Sequence, residues 1–99
     1  MSEHYILDGK NPVPADLMTW AKWIDDPKKR RVALDEKNGV RVSTVFLGLD
    51  HSFGGAVPLL FETMIFGGEH DEHQERCTTW EQAEAMHKTA CELAFGKDA

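Results

Sequence analysis

The run Val32-Ala33-Leu34-Asp35-Glu36-Lys37-Asn38-Gly39-Val40-Arg41-Val42-Ser43-Thr44-Val45-Phe46-Leu47-Gly48-Leu49 holds the most specific local signal in the chain. Asn38-Gly39 is the preferred pair for a two-residue type I′ hairpin turn, because both positions need a positive φ. Such a turn sets Lys37 opposite Val40, Glu36 opposite Arg41, Leu34 opposite Ser43 and Val32 opposite Val45. Glu36 against Arg41 is a favourable cross-strand charge pair. The second arm, 40–49, is apolar on both faces. Val42 and Phe46 lie on one side, and Val45, Leu47 and Leu49 on the other, as expected of a central strand covered at least partly on both sides.

Downstream, His51-Ser52-Phe53-Gly54-Gly55 reads as a loop. Pro58 opens a strand over Leu59 to Phe66, followed by Gly67-Gly68 and an acidic turn, Glu69 to Glu75. A short strand is expected near Gln74 to Cys77. Thr79-Trp80-Glu81-Gln82 fits a capping box, in which the Thr hydroxyl and the Gln side chain satisfy each other's orphan backbone N–H groups. Ala83, His87, Ala90 and Ala94 continue a helical stripe headed by Trp80, widened by Met86 and Leu93 on one side and Cys91 on the other. Gly96 suits the helix terminus.

Upstream, Tyr5-Ile6-Leu7 reads as a short edge strand and Asp8-Gly9-Lys10-Asn11-Pro12 as a turn. Pro14 suits the first position of a helix and Asp16 its first turn. Leu17, Trp20, Ala21 and Ile24 form an amphipathic stripe, and Asp25-Asp26-Pro27 stops it, which predicts a helix over 14–26. Lys28 to Arg31 reads as a solvated basic face after that helix. Met1 to His4 and Gly96 to Ala99 read as polar fringes. The expected order is β-α-β-β-β-(β)-α: an α+β domain with an antiparallel sheet of four to five strands and two helices packed on it.

The chain has 99 residues, enough for one domain spanning 1–99. Eleven Lys and Arg against 17 Asp and Glu leave a net charge of −6, which disfavours duplex nucleic acid and anionic membrane surfaces as partners. No apolar run nears the ~20 residues of a membrane span. No signal peptide is visible at the start. Two cysteines make no disulfide scaffold, so the expectation is a reduced, cytoplasmic protein.

His70, His73 and Cys77 supply ligand types that zinc accepts. They lack a fourth ligand and paired spacing, so neither a metal nor another cofactor is expected. Asp50-His51 lies at a strand end, where His51 could serve as a general base oriented by Asp50 or Glu62. The plainer reading is a polar pair capping a turn, since adjacent strand residues point to opposite faces. Glu62, a carboxylate in an apolar strand, needs a partner such as Arg41 or His51, or faces water. Trp20 and Trp80 lie on core stripes; Trp23 lies beside its stripe and is the best candidate of the three for an exposed binding aromatic. His87 reads as a satisfied boundary histidine and Cys91 as a small buried hydrophobe. No phosphate-binding loop, nucleophile elbow or H-E-x-x-H is present.

The stretches Val40-Arg41-Val42-Ser43-Thr44-Val45-Phe46-Leu47-Gly48-Leu49-Asp50-His51, Leu59-Leu60-Phe61-Glu62-Thr63-Met64-Ile65-Phe66-Gly67-Gly68 and Thr79-Trp80-Glu81-Gln82-Ala83-Glu84 together resemble a family of small phage and prophage proteins of unknown function. The resemblance names no activity and no catalytic residue. It implies a phage accessory protein in the bacterial host cytoplasm, of the kind that binds host machinery, including inhibitors of host defence. The leading expectation is therefore a non-enzymatic binder of a host protein or of a small sequestered ligand. Its candidate contacts are Trp23, Asp25, Asp26, Asp50, His51 and Glu62. The alternatives are a small metal- or His-dependent enzyme built on His51, Glu62, His70 and His73, and a virion or assembly component; a homo-oligomer stays open.

Gly39→Val is expected to lower stability by ~1–3 kcal/mol, because a β-branched residue resists the positive φ of the turn. An unchanged melting temperature would remove the turn and the register with it.

Overall fold

The computed structural model describes residues 3–52 and 54–96. Phe53 of the expected loop lies outside the described residues, as do positions 1–2 and 97–99 of the expected fringes. The architecture is α+β, with a four-stranded antiparallel sheet, a separate two-stranded sheet and helices packed on them.

Strands β3 (Arg31–Lys37) and β4 (Val40–Phe46) form the hairpin read from Asn38-Gly39. Asn38 and Gly39 both take positive φ, 52° and 80°. Lys37 pairs with Val40, Glu36 with Arg41 and Leu34 with Ser43. The Glu36–Arg41 ion pair closes at 3.1 Å. Val32 does not oppose Val45. The register shifts between Arg31 and Ala33, so that Arg31 faces Val45 and Ala33 faces Thr44. A bulge takes up Val32, whose side chain packs against the core.

β4 ends at Phe46 rather than Leu49. Gly48 adopts φ +76° there, and a Cβ on it would sit 2.4 Å from Ile24 Cδ1 and 2.9 Å from Trp20 Nε1. The backbone leaves the ladder to let the first helix approach, and Leu49 makes only an isolated bridge with His4. β5 (Phe61–Phe66) starts two residues later than expected, and β6 (Gln74–Cys77) forms as read. The sheet order is β3-β4-β5-β6, which places β4 inside the sheet.

The N-terminal segment differs most from its reading. β1 (Tyr5–Asp8) and β2 (Asn11–Pro14) form a hairpin of their own, with Tyr5 opposite Pro14 and Leu7 opposite Pro12. Proline fits there because a two-stranded ribbon has only edge strands, which leave N–H positions unpaired. Pro14 thus belongs to a strand, and the helix α1 (Leu17–Ile24) begins after it. Asp16 is its N-cap, with Oδ1 accepting from the Thr19 N–H at 2.8 Å. This bond holds the Asp16 carboxyl below its ordinary value of 3.8. The inward stripe of α1 is Trp20, Trp23 and Ile24, while Leu17 is 58% exposed. The basic run makes a one-turn helix, α2 (Pro27–Arg30), capped by Asp26.

Helix α3 (Trp80–Phe95) carries the expected capping box at Thr79 and Gln82. It buries Ala83, His87 and Ala90 against all four strands of the larger sheet. Two apolar clusters result. One joins Phe46, Leu60, Phe61 and Ala83, with Trp23, Val32 and Trp80 around them. The other joins Val42, Ile65 and Ala90. Phe46 and Phe61 are fully buried with ring centroids 5.3 Å apart. Each such side chain stabilises by roughly 1.5–3 kcal/mol relative to exposure, so the first cluster dominates the packing. No helix among the described residues is long and apolar enough to cross a membrane.

Gly48→Ala is expected to destabilise by about 2–4 kcal/mol. It adds a strained positive φ to an overpacked contact with Ile24 and Trp20. Chemical denaturation measures it; a change below ~0.5 kcal/mol, the range of an ordinary surface substitution, would contradict the close approach of α1.

Candidate functional site

Strand alternation divides the larger sheet into two unlike faces. Toward α3 point Val42, Thr44 and Phe46 from β4 and Phe61, Thr63 and Ile65 from β5, all buried. The two threonines are the exceptions in this apolar set. Thr44 Oγ1 is hydrogen-bonded to Thr63 Oγ1 and lies 2.7 Å from His87 Nδ1. His87 Nε2 lies 2.7 Å from Asp35 Oδ2 on β3. A neutral ring with its proton on Nε2 satisfies every link. Thr63 donates to Thr44, Thr44 donates to Nδ1, and Nε2–H donates to the carboxylate.

The hydrogen bond from His87 holds the Asp35 carboxyl below its ordinary value of 3.8, against the opposing effect of desolvation. Cys91, one turn after His87 on α3, places Sγ 3.6 Å from the same Oδ2. Burial, helped by the Asp35 carboxylate, pushes the Cys91 thiol up to about 11. Asp35, His87 and Cys91 are the one group of three such side chains close enough to share a metal ion among the described residues. His70, His73 and Cys77 do not come together in this way. His73 pairs with Glu75 at 3.0 Å, and the Cys77 thiol contacts the Thr79 carbonyl. The order carboxylate–imidazole–hydroxyl also occurs where a hydroxyl is activated as a nucleophile. Here Thr44 is sealed beneath α3 with 0% exposure, so no substrate reaches its oxygen.

The opposite face carries Leu34, Ser43, Val45, Glu62, Met64 and Phe66, with Arg41 and Arg76 beside them. Leu34 and Phe66 stay 41% and 44% exposed. A groove of about 300 Å³ runs along it between Arg30, Arg31, Leu34, Arg41, Val45 and Phe66. The Arg30 Nε is buried and has no hydrogen-bond partner among the described residues.

The residues singled out in the sequence do not form one site. Trp23 packs edge-on against Phe46 at 5.5 Å and contributes to the core. Asp25 caps the end of α1, and Asp26 caps α2 through the Lys28 N–H at 2.9 Å. Asp50 Oδ1 accepts from the Ser52 and Leu59 N–H groups, bonds that hold its carboxyl low. Asp50 thus braces its loop. His51 lies beside it in a shallow cleft with Glu3, Leu49 and Gly54. Glu62 is paired with Arg76 at 2.9 Å and with Gln74, not with Arg41 or His51, because β6 is its ladder neighbour. Sequence reading missed Asp35 and Thr44 as partners of His87, and Thr63 behind Thr44, although the helical stripe had placed His87 inward. It also missed the arginine groove, whose members are spread over α2, β3 and β4. No protein-family model, curated protein or solved structure matches the chain.

Thr44→Val keeps the shape but leaves His87 Nδ1 and Thr63 Oγ1 without their shared partner. It is expected to cost about 1–3 kcal/mol. Equilibrium unfolding measures this, and a neutral substitution would show that the chain does not hold α3 to the sheet.

Proposed function

We propose that the protein acts by binding, and that it holds an acidic protein segment with apolar anchors on the uncovered face of its larger sheet. The observation that carries this is the gathering of three arginines at one groove, of which Arg41 is also paired with Glu36. The chain has a net charge of −6, yet Arg30, Arg31 and Arg41 line one groove around Leu34, Val45 and Phe66. Arginine and aromatic side chains are enriched at interface cores, where Arg forms bidentate bonds with carboxylates. The groove's apolar lining is largely aliphatic, with Phe66 its one aromatic. That favours a peptide over single-stranded nucleic acid, which is held by successive stacking platforms.

The resemblance to small phage-borne proteins supports a host protein in the bacterial cytoplasm as the partner. Occupying an acidic segment of that protein would block its contacts with basic partners of its own. Inhibition of a host function, defence included, is the outcome this reading gives.

The test is an amide chemical-shift titration with a synthetic acidic peptide carrying Leu and Phe, beside a basic peptide of equal length. Shifts are expected in β3, β4 and β5 with the acidic peptide alone. Arg31→Ala combined with Arg41→Ala should weaken binding at least tenfold, or about 1.4 kcal/mol. Shifts centred on α3 or the Asp50 loop, or equal affinity of the double variant, would overturn the reading.

A further inference from the structure

We propose that Asp35, His87 and Cys91 form a zinc site, with water as the fourth ligand. The site lies on the α3 side of the sheet, away from the arginine groove, and does not depend on the binding reading.

The donor atoms are already gathered. Asp35 Oδ2 is 2.7 Å from His87 Nε2 and 3.6 Å from Cys91 Sγ, and one donor atom from each residue lies within 4.8 Å of the other two. Zinc binds N, O and S at ~2.0–2.3 Å in a tetrahedron, which sets donor separations of roughly 3.3–3.7 Å. The Sγ to Oδ2 distance already fits. The Nε2 to Oδ2 distance, now 2.7 Å, must open by roughly 0.6 Å or more to reach that range. The Asp35 side chain is 58% exposed, so it can rotate outward without moving the backbone.

His87 and Cys91 stand at i and i+4 on one helix face, which aims both at the same point. One carboxylate oxygen, one imidazole nitrogen and one thiolate select a borderline ion such as zinc over magnesium or calcium, which prefer oxygen alone. The exposed side of Asp35 leaves the fourth position open to water.

The buried threonines complete the site. A metal-bound imidazole donates its other N–H to a neighbouring acceptor, which fixes ring and tautomer. Thr44 Oγ1 lies 2.7 Å from Nδ1 and can reverse its role. When zinc takes Nε2, the ring proton moves to Nδ1 and donates to Thr44, and Thr44 donates on to Thr63. The Cys91 thiol proton leaves to solvent as the Zn–S bond forms, so one proton is released per metal. The Thr-Thr-His chain thus works in either direction, toward Asp35 without metal and toward Thr63 with it.

The experiment is a zinc titration of the full chain, stripped with chelator, in competition with a chromophoric chelator. One zinc per chain is expected. Asp35→Asn and Cys91→Ala should each weaken binding at least about tenfold, the smallest loss usual even for an outer-shell change. Cys77→Ala should leave it unchanged. Cobalt in place of zinc should give a thiolate-to-cobalt charge-transfer band that disappears in Cys91→Ala. Circular dichroism of the metal-free variants checks folding, and the largely exposed Asp35 supplies the variant least able to disturb it. Absence of stoichiometric zinc, or zinc held equally well by folded Asp35→Asn, would overturn the site.

Discussion

The hydrogen-bonded chain from Thr63 through Thr44 and His87 to Asp35 is where the long helix and the sheet meet on polar terms. Trp80 anchors the start of α3 against Phe61, but the middle of the helix meets the sheet through the small side chains Ala83 and Ala90, so His87 is what fixes its register there. A buried imidazole with one partner on β4 and another on β3 tolerates a single placement. Shifting the helix by one residue would strip His87 of both partners and Thr44 of its bond to the ring, each at a cost of about 1–3 kcal/mol. Such a network specifies arrangement more than it adds stability.

Fixing the helix on one face leaves the other without one. The four-stranded sheet has a single long helix to cover it, while α1 packs over the N-terminal hairpin and the Phe46 end of the core. The free face therefore keeps Leu34 and Phe66 exposed and gathers the arginines of α2, β3 and β4. In an acidic chain that local charge is the basis on which we propose this face as a binding surface.

Much of this was legible because its causes are local. Asn38-Gly39 dictated the hairpin through backbone sterics at two residues, and the Glu36–Arg41 pair followed from the register. The capping box and the Ala83-His87-Ala90 stripe placed α3 and its inward face. What was not legible is long-range. Pro12 read as a turn residue and Pro14 as the first position of a helix, since sequence cannot show that a strand will have a free edge. The end of β4 at Phe46 depends on Trp20 and Ile24 pressing on Gly48, contacts made from another element. Asp35 and Cys91 stand 56 residues apart, so nothing near either one announces the other. Trp23, read beside the stripe of α1, is half-buried, and its contact edge-on with Phe46 comes from another element.

The protonation pattern of His87 in the metal-free protein tests this arrangement most directly. Nitrogen chemical shifts of the imidazole at neutral pH, read from long-range proton–nitrogen correlations, report it. The chain predicts a proton held on Nε2 toward Asp35 and a ring that does not exchange between tautomers. A ring protonated on Nδ1 alone, or one averaging between tautomers as free histidine does, would contradict it.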